Sequence, residues 1–214
     1  MQIEHGVMKT EVVFSDCRTE RYLLRKVWDE SKPMVSLIMT NPSTANAVTI
    51  DMTVHYSICN LYKLGYGGVD ILNMTSIIST KIDTKSDISL TDANVAQILK
   101  SAEKSDKVII AWGKIGENIK KVKEVQLKLL GKLEPFQNKL FTIVSDTGDV
   151  GFHPLAPQIR FTWHLKPFVL PEYLKEKQEG KTEEQPPGEQ EETSKNEPDA
   201  PAKGKQLKKI SQTA

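Results

Sequence analysis

The sequence predicts an α/β fold: a three-layer α/β/α arrangement with a mostly parallel central sheet of about four core strands and an N-terminal β-hairpin. Two observations predict it. Four short runs are mostly apolar, as in strands that are buried on both faces, and amphipathic segments of helical length separate them. Right-handed crossovers should bring the carboxyl ends of all four strands to one edge of the sheet, where ligands of open α/β sheets bind.

The strands are predicted from two kinds of pattern. Alternation of polar and apolar residues over 11–14 and 21–28 indicates two half-exposed strands, which form the opening hairpin. Mostly apolar runs mark the core strands. These runs cover residues 34–39, 69–72, 107–111 and 140–144.

The helices are predicted from apolar residues spaced three and four apart. This spacing covers residues 53–64, a segment that begins at about position 92, and residues 117–130. Glycines at positions 65, 67 and 68 should end the first helix. Thr91 or Asp92 is the expected N-cap of the second.

The composition changes at about residue 175. Residues 175–214 consist mostly of Glu, Lys, Gln, Pro, Ser and Thr, with an acidic centre and a basic end. A segment with so few large apolar side chains cannot offset its chain entropy, so we expect one domain over residues 1–174 and a disordered charged tail over 175–214. A solvated tail is the simpler interpretation, and a tail that contacts a phosphate backbone or another protein is the alternative.

The bulk properties limit the classes of partner. The 29 basic and 28 acidic residues nearly cancel, so net charge does not indicate a nucleic-acid partner, although a local basic patch remains compatible with it. No apolar run reaches the roughly 18 residues that cross a bilayer, and residues 1–11 lack a secretory pattern. We therefore predict a cytoplasmic location, no membrane contact and, by default, a monomer.

Common cofactor, metal and acyl-transfer motifs do not occur in the sequence. Cys17 and Cys59 lie far apart, outside any CxxC spacing, and are expected to be reduced thiols. The chain contains no GxGxxG, GxxxxGK[ST], HExxH or GxSxG pattern. We predict no metal and no cofactor.

Polar and special residues follow each predicted core strand. They are Asn41-Pro42-Ser43 after the first, Asn73 after the second, Trp112-Gly113 after the third and, beyond a connection, His153-Pro154-Leu155 after the fourth. Each has a simpler explanation on its own: Asn-Pro-Ser can begin a helix, Asn73 can cap a loop, and His153 can be an ordinary surface histidine. Their convergence at one sheet edge predicts a pocket.

Two further residues lie next to the first of these loops. Asp51 and Thr53 immediately precede or begin the helix predicted over residues 53–64. Asp51 can serve as the N-terminal carboxylate that the helix dipole favours, or as a carboxylate of the pocket. The sequence leaves both roles open.

Several motifs in a fixed order resemble the domain-of-unknown-function family 1643 of bacteria and phages. They are Arg21-Tyr22-Leu23-Leu24-Arg25, Asn41-Pro42-Ser43-Thr44-Ala45, Gly65-Tyr66-Gly67-Gly68, Ala111-Trp112-Gly113 and His153-Pro154-Leu155. The resemblance covers about residues 20–158 and implies no function. The chain departs from the family where Thr40 replaces a Leu, Ala156 replaces a Tyr, and Ile50-Asp51-Met52-Thr53 replaces Asp-Asp-Pro-Thr.

The order of the strand-end motifs is similar, more distantly, to the uracil-DNA glycosylase superfamily. That resemblance implies a uracil-DNA-glycosylase-like fold, in which Asn41 positions a water, Asn73 hydrogen-bonds the base edge and His153 donates to a base oxygen. With Asp51, Asn41 and His153 form the predicted catalytic set. The predicted substrate-binding residues are Pro42, Ser43, Thr53, Asn73, Trp112, Gly113, Pro154 and Leu155, and Leu155 is the candidate for insertion into a duplex.

These residues predict an enzyme of the glycosylase type that hydrolyses an N-glycosidic bond in DNA or in a modified nucleoside. The expected partner is DNA or a small molecule that contains a nucleobase. A non-catalytic nucleic-acid or nucleotide binder with the same pocket is the alternative. The first loop distinguishes the two, because Asn41 is a weak base and chemistry requires that Asp51 reach the pocket.

Overall fold

The computed structural model describes residues 1–79 and 88–171. Within these residues, four helices and a seven-stranded mixed sheet form the α/β fold that the sequence predicts. The predicted tail over residues 175–214 lies outside this part of the chain. The division into a domain over 1–174 and a tail therefore stays a prediction.

The sheet combines a parallel centre with antiparallel edges. The strands are β1 (Lys9–Phe14), β2 (Arg21–Val27), β3 (Met34–Met39), β4 (Gly68–Asn73), β5 (Lys107–Ile110), β6 (Leu140–Val144) and β7 (His164–Pro167), in the spatial order β1-β2-β4-β3-β5-β6-β7. The four predicted core strands, β4, β3, β5 and β6, are parallel to one another. The β1–β2 hairpin joins β4 antiparallel, and β7 pairs antiparallel with β6.

The sheet is larger than the four core strands and the hairpin that the sequence predicts. The additional strand is β7, which has four residues, none of them buried. A strand this short and exposed has neither an apolar run nor a clear alternation, so its sequence carries no usable signal.

The helices cover the segments between the core strands. They are α1 (Met52–Lys63), α2 (Asp92–Lys104), α3 (Ile115–Asn118) and α4 (Lys120–Leu133), with a 3₁₀ segment over Glu134–Lys139. Thr91 is the N-cap of α2, as predicted. The single helix predicted over 117–130 is wrong, because the backbone of Ile119 is extended (φ −128°, ψ 104°) and separates α3 from α4. The apolar spacing continues through this break, so periodicity does not reveal it.

The two faces of the sheet bury separate groups of side chains. Successive residues of β3 alternate between them: Ile38 packs with α2 and α4 on one face, whereas Leu37 packs with α1 on the other. Leu129 of α4 and Leu61 of α1 are fully buried in the respective groups. Burial of each such side chain contributes about 1.5–3 kcal/mol, so both helices are held by their apolar faces.

The parallel register brings the strand ends together, as predicted. Met39 of β3 lies opposite Asn73 at the end of β4. The N–H of Ala111, just beyond β5, donates to the carbonyl of Ile38 at 2.8 Å. The segments that follow β3, β4 and β5 therefore leave the sheet side by side, at the edge where the candidate site lies.

Candidate functional site

A small pocket opens at the carboxyl edge of the sheet. Its volume is about 40 Å³, and it is lined by Arg21, Met39, Asn41, Ser43, Asp51, Thr53, Val54 and His153. Five of these were predicted as site residues: Asn41, Ser43, Asp51, Thr53 and His153. A cavity of this size holds about one or two water molecules, and it is smaller than a nucleobase.

The loop after β3 is tied to the segment that follows β4. The Asn41 side-chain N–H donates to the carbonyl of Ser79, and the N–H of Ser79 donates to the carbonyl of Pro42 at 3.0 Å. Pro42 is buried and does not line the pocket. One N–H of the Asn41 amide is engaged, so its oxygen can accept a hydrogen bond and its second N–H can donate one.

Asp51 takes both of the roles that the sequence left open. It is the N-cap of α1, where its Oδ1 accepts the N–H of Val54 at 2.8 Å. It also lines the pocket together with Thr53. Its second carboxylate oxygen has no hydrogen-bond partner among residues 1–79 and 88–171, so it can serve as a base toward a bound water.

His153 presents a hydrogen-bond donor. The N–H of Leu155 donates to His153 Nδ1 at 3.3 Å, which assigns the ring hydrogen to Nε2 in the neutral side chain. Burial lowers the pKa of His153 below its usual value, and the nearby charge of Asp51 opposes this effect to a smaller extent. The imidazole is therefore neutral at pH 7 and carries Nε2–H as its donor.

Trp112 and Gly113 support the site from outside the pocket lining. Gly113 has φ +71°, and a Cβ at this position would lie 3.2 Å from the Cβ of His153. Glycine therefore allows the two backbones to approach closely. The Trp112 side chain packs against the apolar group on the α2/α4 face, and its carbonyl accepts the Thr40 hydroxyl at 3.1 Å.

Arg21 lies in the pocket wall and is absent from the residues that the sequence predicts. It is 2% exposed. Its Nη1 donates to the carbonyls of Ala45 at 2.7 Å and Ser43 at 3.4 Å, and its Nη2 donates to Asn73 Oδ1 at 3.3 Å. Burial lowers the pKa of Arg21 to about 10, partly opposed by the charge of Asp51, so the side chain remains a cation at neutral pH.

Asn73 lies behind Arg21 and is 1% exposed. Its Oδ1 accepts from Arg21, whereas its Nδ2 is buried and has no hydrogen-bond partner in the part of the chain that the structure describes. Asn41 and His153 thus line one pocket, and Asn73 is linked to that pocket through Arg21. In the HPL segment Pro154 is buried, and Leu155 is 38% exposed.

The sequence contained one signal for Arg21. An arginine in an alternating strand is ordinarily interpreted as solvent-exposed, because arginine is almost never fully buried unless it is paired. Arg21 nevertheless begins the Arg-Tyr-Leu-Leu-Arg motif of the family resemblance, and a motif residue on a strand that adjoins the strand-end loops is a candidate for their support.

A family comparison covers the residues of this pocket. The sequence profile described as "Protein of unknown function (DUF1643)" matches residues 21–155, more than half of the chain. The chain belongs to the DUF1643 family. The match begins at Arg21 and includes His153, so the DUF1643 region contains every residue that lines the pocket. The searches of curated proteins and of solved structures gave no match.

In the part of the chain that the structure describes, no three His, Cys, Asp or Glu side chains come together as a metal site requires. Within the same residues, no helix combines the length and the apolar character needed to span a bilayer.

Proposed function

We propose that this protein hydrolyses the N-glycosidic bond of a nucleobase, in DNA or in a modified nucleoside. One observation carries the proposal. Asn41 and Asp51 lie between β3 and α1, His153 follows β6, and all three line the same water-sized pocket. They offer an acceptor amide, a carboxylate and a neutral donor, which are the groups that a hydrolytic water and a departing base require.

Each side chain has a defined role in the proposed reaction. Asn41 and Asp51 orient a water, whose oxygen forms the new bond to C1′ of the sugar while Asp51 accepts its proton. The bond from C1′ to the base nitrogen breaks, and its electron pair stays on the base. His153 Nε2–H donates to an oxygen of the base, where negative charge develops. One such preorganised donor accelerates a reaction by about 10²–10³-fold.

Asp51 favours the enzyme over the non-catalytic binder. A binder requires no base in the pocket, whereas Asp51 faces the pocket with one carboxylate oxygen that the helix cap does not use. In either function, Asn73 can hydrogen-bond the edge of a base only if the Arg21 side chain, which lies between Asn73 and the pocket, moves aside.

The proposal also includes the finer fold assignment. We infer a three-layer arrangement like that of the uracil-DNA glycosylase superfamily. The order of the strand-end motifs and the placement of helices against both faces of the parallel strands support it. A crystal structure that superposes on that superfamily, with Asn41 and His153 at the equivalent loops, would test it.

A base enters the pocket only when side chains at its mouth move, because about 40 Å³ holds water and not a pyrimidine ring. Leu155 is 38% exposed and follows the pocket residue His153 by two positions. In a duplex, this leucine would fill the gap that the flipped nucleotide leaves. Such a role predicts that Leu155→Ala impairs action on duplex DNA and spares action on a nucleoside.

The experiment that tests the function is a screen for base release. The full chain is incubated with DNA that contains uracil, hydroxymethyluracil or other modified bases, and with the matching nucleosides. Abasic sites and free bases are scored. Asp51→Asn keeps a good helix cap and removes the base, so we expect a loss of about 10²–10⁴-fold.

Asp92→Asn is the matched control, because Asp92 is an exposed carboxylate in the first turn of α2. We expect its activity to equal that of the wild type. Absence of base release from every substrate, or equal release by the wild type and Asp51→Asn, would overturn the proposal. Equal losses in binding and cleavage in His153→Ala would instead favour the binder.

A further inference from the structure

Arg21 is a buried cation whose contacts are all with neutral groups. Among the described residues, its hydrogen-bond acceptors are two backbone carbonyls and one amide oxygen, and no carboxylate lies within ion-pair distance. Asp51 acts on it only through its charge at longer range. Removing a cation from water carries a desolvation cost that neutral dipoles offset incompletely. The pocket wall therefore holds a cation that no ion pair within the described residues neutralises and that Asp51 compensates only at longer range.

The same region contains two donors without an acceptor among the described residues. Arg21 Nε and Asn73 Nδ2 are buried and have no hydrogen-bond partner within residues 1–79 and 88–171. His153 adds Nε2–H from the pocket lining. Donors of this kind are satisfied by a ligand edge that carries acceptors or negative charge.

We propose that Arg21 contacts the nucleobase as it leaves and neutralises the negative charge that the base acquires, so that the pocket preferentially binds planar anions. This inference rests on the proposed function and adds a catalytic residue to it. The electron pair of the broken C1′–N bond stays on the ring, and the guanidinium faces the resulting anion. The base takes up a proton from solvent after release.

The structural contacts of Arg21 leave this role open to it. Nη1 and Nη2 hold the loop after β3 and the amide of Asn73, whereas Nε is not used. Arg21 can therefore fix the loop with one edge of its guanidinium and meet a ligand with the other. A test must separate these two roles.

The test compares two ligands of similar shape and different charge. Barbiturate is a planar pyrimidine anion at neutral pH, and uracil is a neutral one. Their dissociation constants for the full chain are measured by calorimetry in one buffer. We expect barbiturate to bind at least about tenfold more tightly, because Arg21 gives a charge-assisted hydrogen bond to either ligand and the anion adds the attraction between two full charges.

Two substitutions at Asn73 separate charge from hydrogen bonding. Asn73→Ala removes the amide and keeps the cation, so both affinities should fall while their ratio is preserved. Asn73→Asp places a carboxylate at the position of an Arg21 hydrogen bond, so the preference for barbiturate should disappear.

Arg21→Met removes the cation and should also abolish the preference for barbiturate. Arg18→Met changes an exposed arginine in the turn between β1 and β2 and should leave that preference unchanged. Circular dichroism confirms that each variant is folded.

Different results would overturn the role of Arg21 and the proposed base release. Equal affinities in the wild type, no binding of either ligand, or an unchanged preference in Asn73→Asp would overturn the role of Arg21. Base release that persists at the wild-type rate in Arg21→Met would overturn it while the function stands. A barbiturate preference that depends on Arg21, with no base release from any substrate, would leave an anion site and overturn the function.

Discussion

Two arginines of the same strand have opposite electrostatic environments. Arg25 donates from Nε and Nη2 to the two carboxylate oxygens of Asp70, both at 2.7 Å, and it also contacts Glu11. Arg21, four residues earlier and more deeply buried, meets Asn73 and backbone carbonyls. Strand β4 supplies both partners, a carboxylate in one case and an amide in the other. The pKa of Arg25 is raised, mainly by the Asp70 hydrogen bond, whereas burial lowers that of Arg21.

The difference indicates which cation serves the fold and which is available to a ligand. In the bidentate Arg25–Asp70 pair, Nε and Nη2 of the arginine are bound within the sheet. The pair thereby fixes the register of β2 against β4. The charge of a cation that faces only neutral dipoles is not neutralised by a neighbouring anion, so it can stabilise negative charge on a ligand in the pocket. Three predictions exchange or probe these environments, from the largest expected effect to the smallest.

Asp70→Asn gives Arg25 the kind of partner that Arg21 has. Removal of one member of a fully buried pair costs about 3–5 kcal/mol, and partial solvation of Arg25, which is 31% exposed, reduces this to about 2–3 kcal/mol. Urea unfolding at pH 7 measures the change in the free energy of unfolding. A loss below about 0.5 kcal/mol, the size usual for surface substitutions, would show that this pair contributes no more than an exposed one.

Asn73→Asp makes the reverse exchange and gives Arg21 a carboxylate. Because the cation is already buried, the new charge-assisted bond should raise the free energy of unfolding by about 1 kcal/mol. The same urea experiment, with Asn94→Asp as a second buried Asn of the described region that accepts nothing from an arginine, provides the comparison. Destabilisation by Asn73→Asp as large as that by Asn94→Asp would mean that the dipoles around Arg21 already compensate its charge.

The pH dependence of stability probes the neutral state of His153. Its pKa is lowered in the folded protein, so below about pH 6.5 the unfolded chain binds a proton that the folded one does not. The free energy of unfolding should therefore fall as the pH decreases from 7 through 6.5, and it should stop falling below the folded-state pKa. His153→Gln should show a flatter profile in this window. Identical profiles would assign the histidine an unperturbed pKa.

The sequence predicted the elements that follow strong patterns and missed those that do not. Strands β3 and β6 have the predicted bounds because mostly apolar runs begin and end with them. Strand β7 was missed because its four residues, three of them exposed, carry no clear period, and the break at Ile119 was missed because the apolar spacing passes through it.

The candidate site divides in the same way. The parallel topology was sufficient to predict that Asn41 and His153 lie at one edge of the sheet, because the carboxyl ends of the parallel strands meet there. The burial of Arg21 and its contact with Asn73 depend on how β2 joins β4, and the alternation of a hairpin strand does not report which neighbour it pairs with.

The most direct measurement follows the Nε–H groups of the two arginines by ¹⁵N NMR while barbiturate is added. The signal of Arg21 is assigned by its absence in Arg21→Lys. We predict that the Arg21 signal shifts on saturation, since its Nε–H gains an acceptor, and that the Arg25 signal stays in place, since Asp70 already occupies it. A stationary Arg21 signal in the presence of bound ligand would contradict the placement of the departing base on this cation.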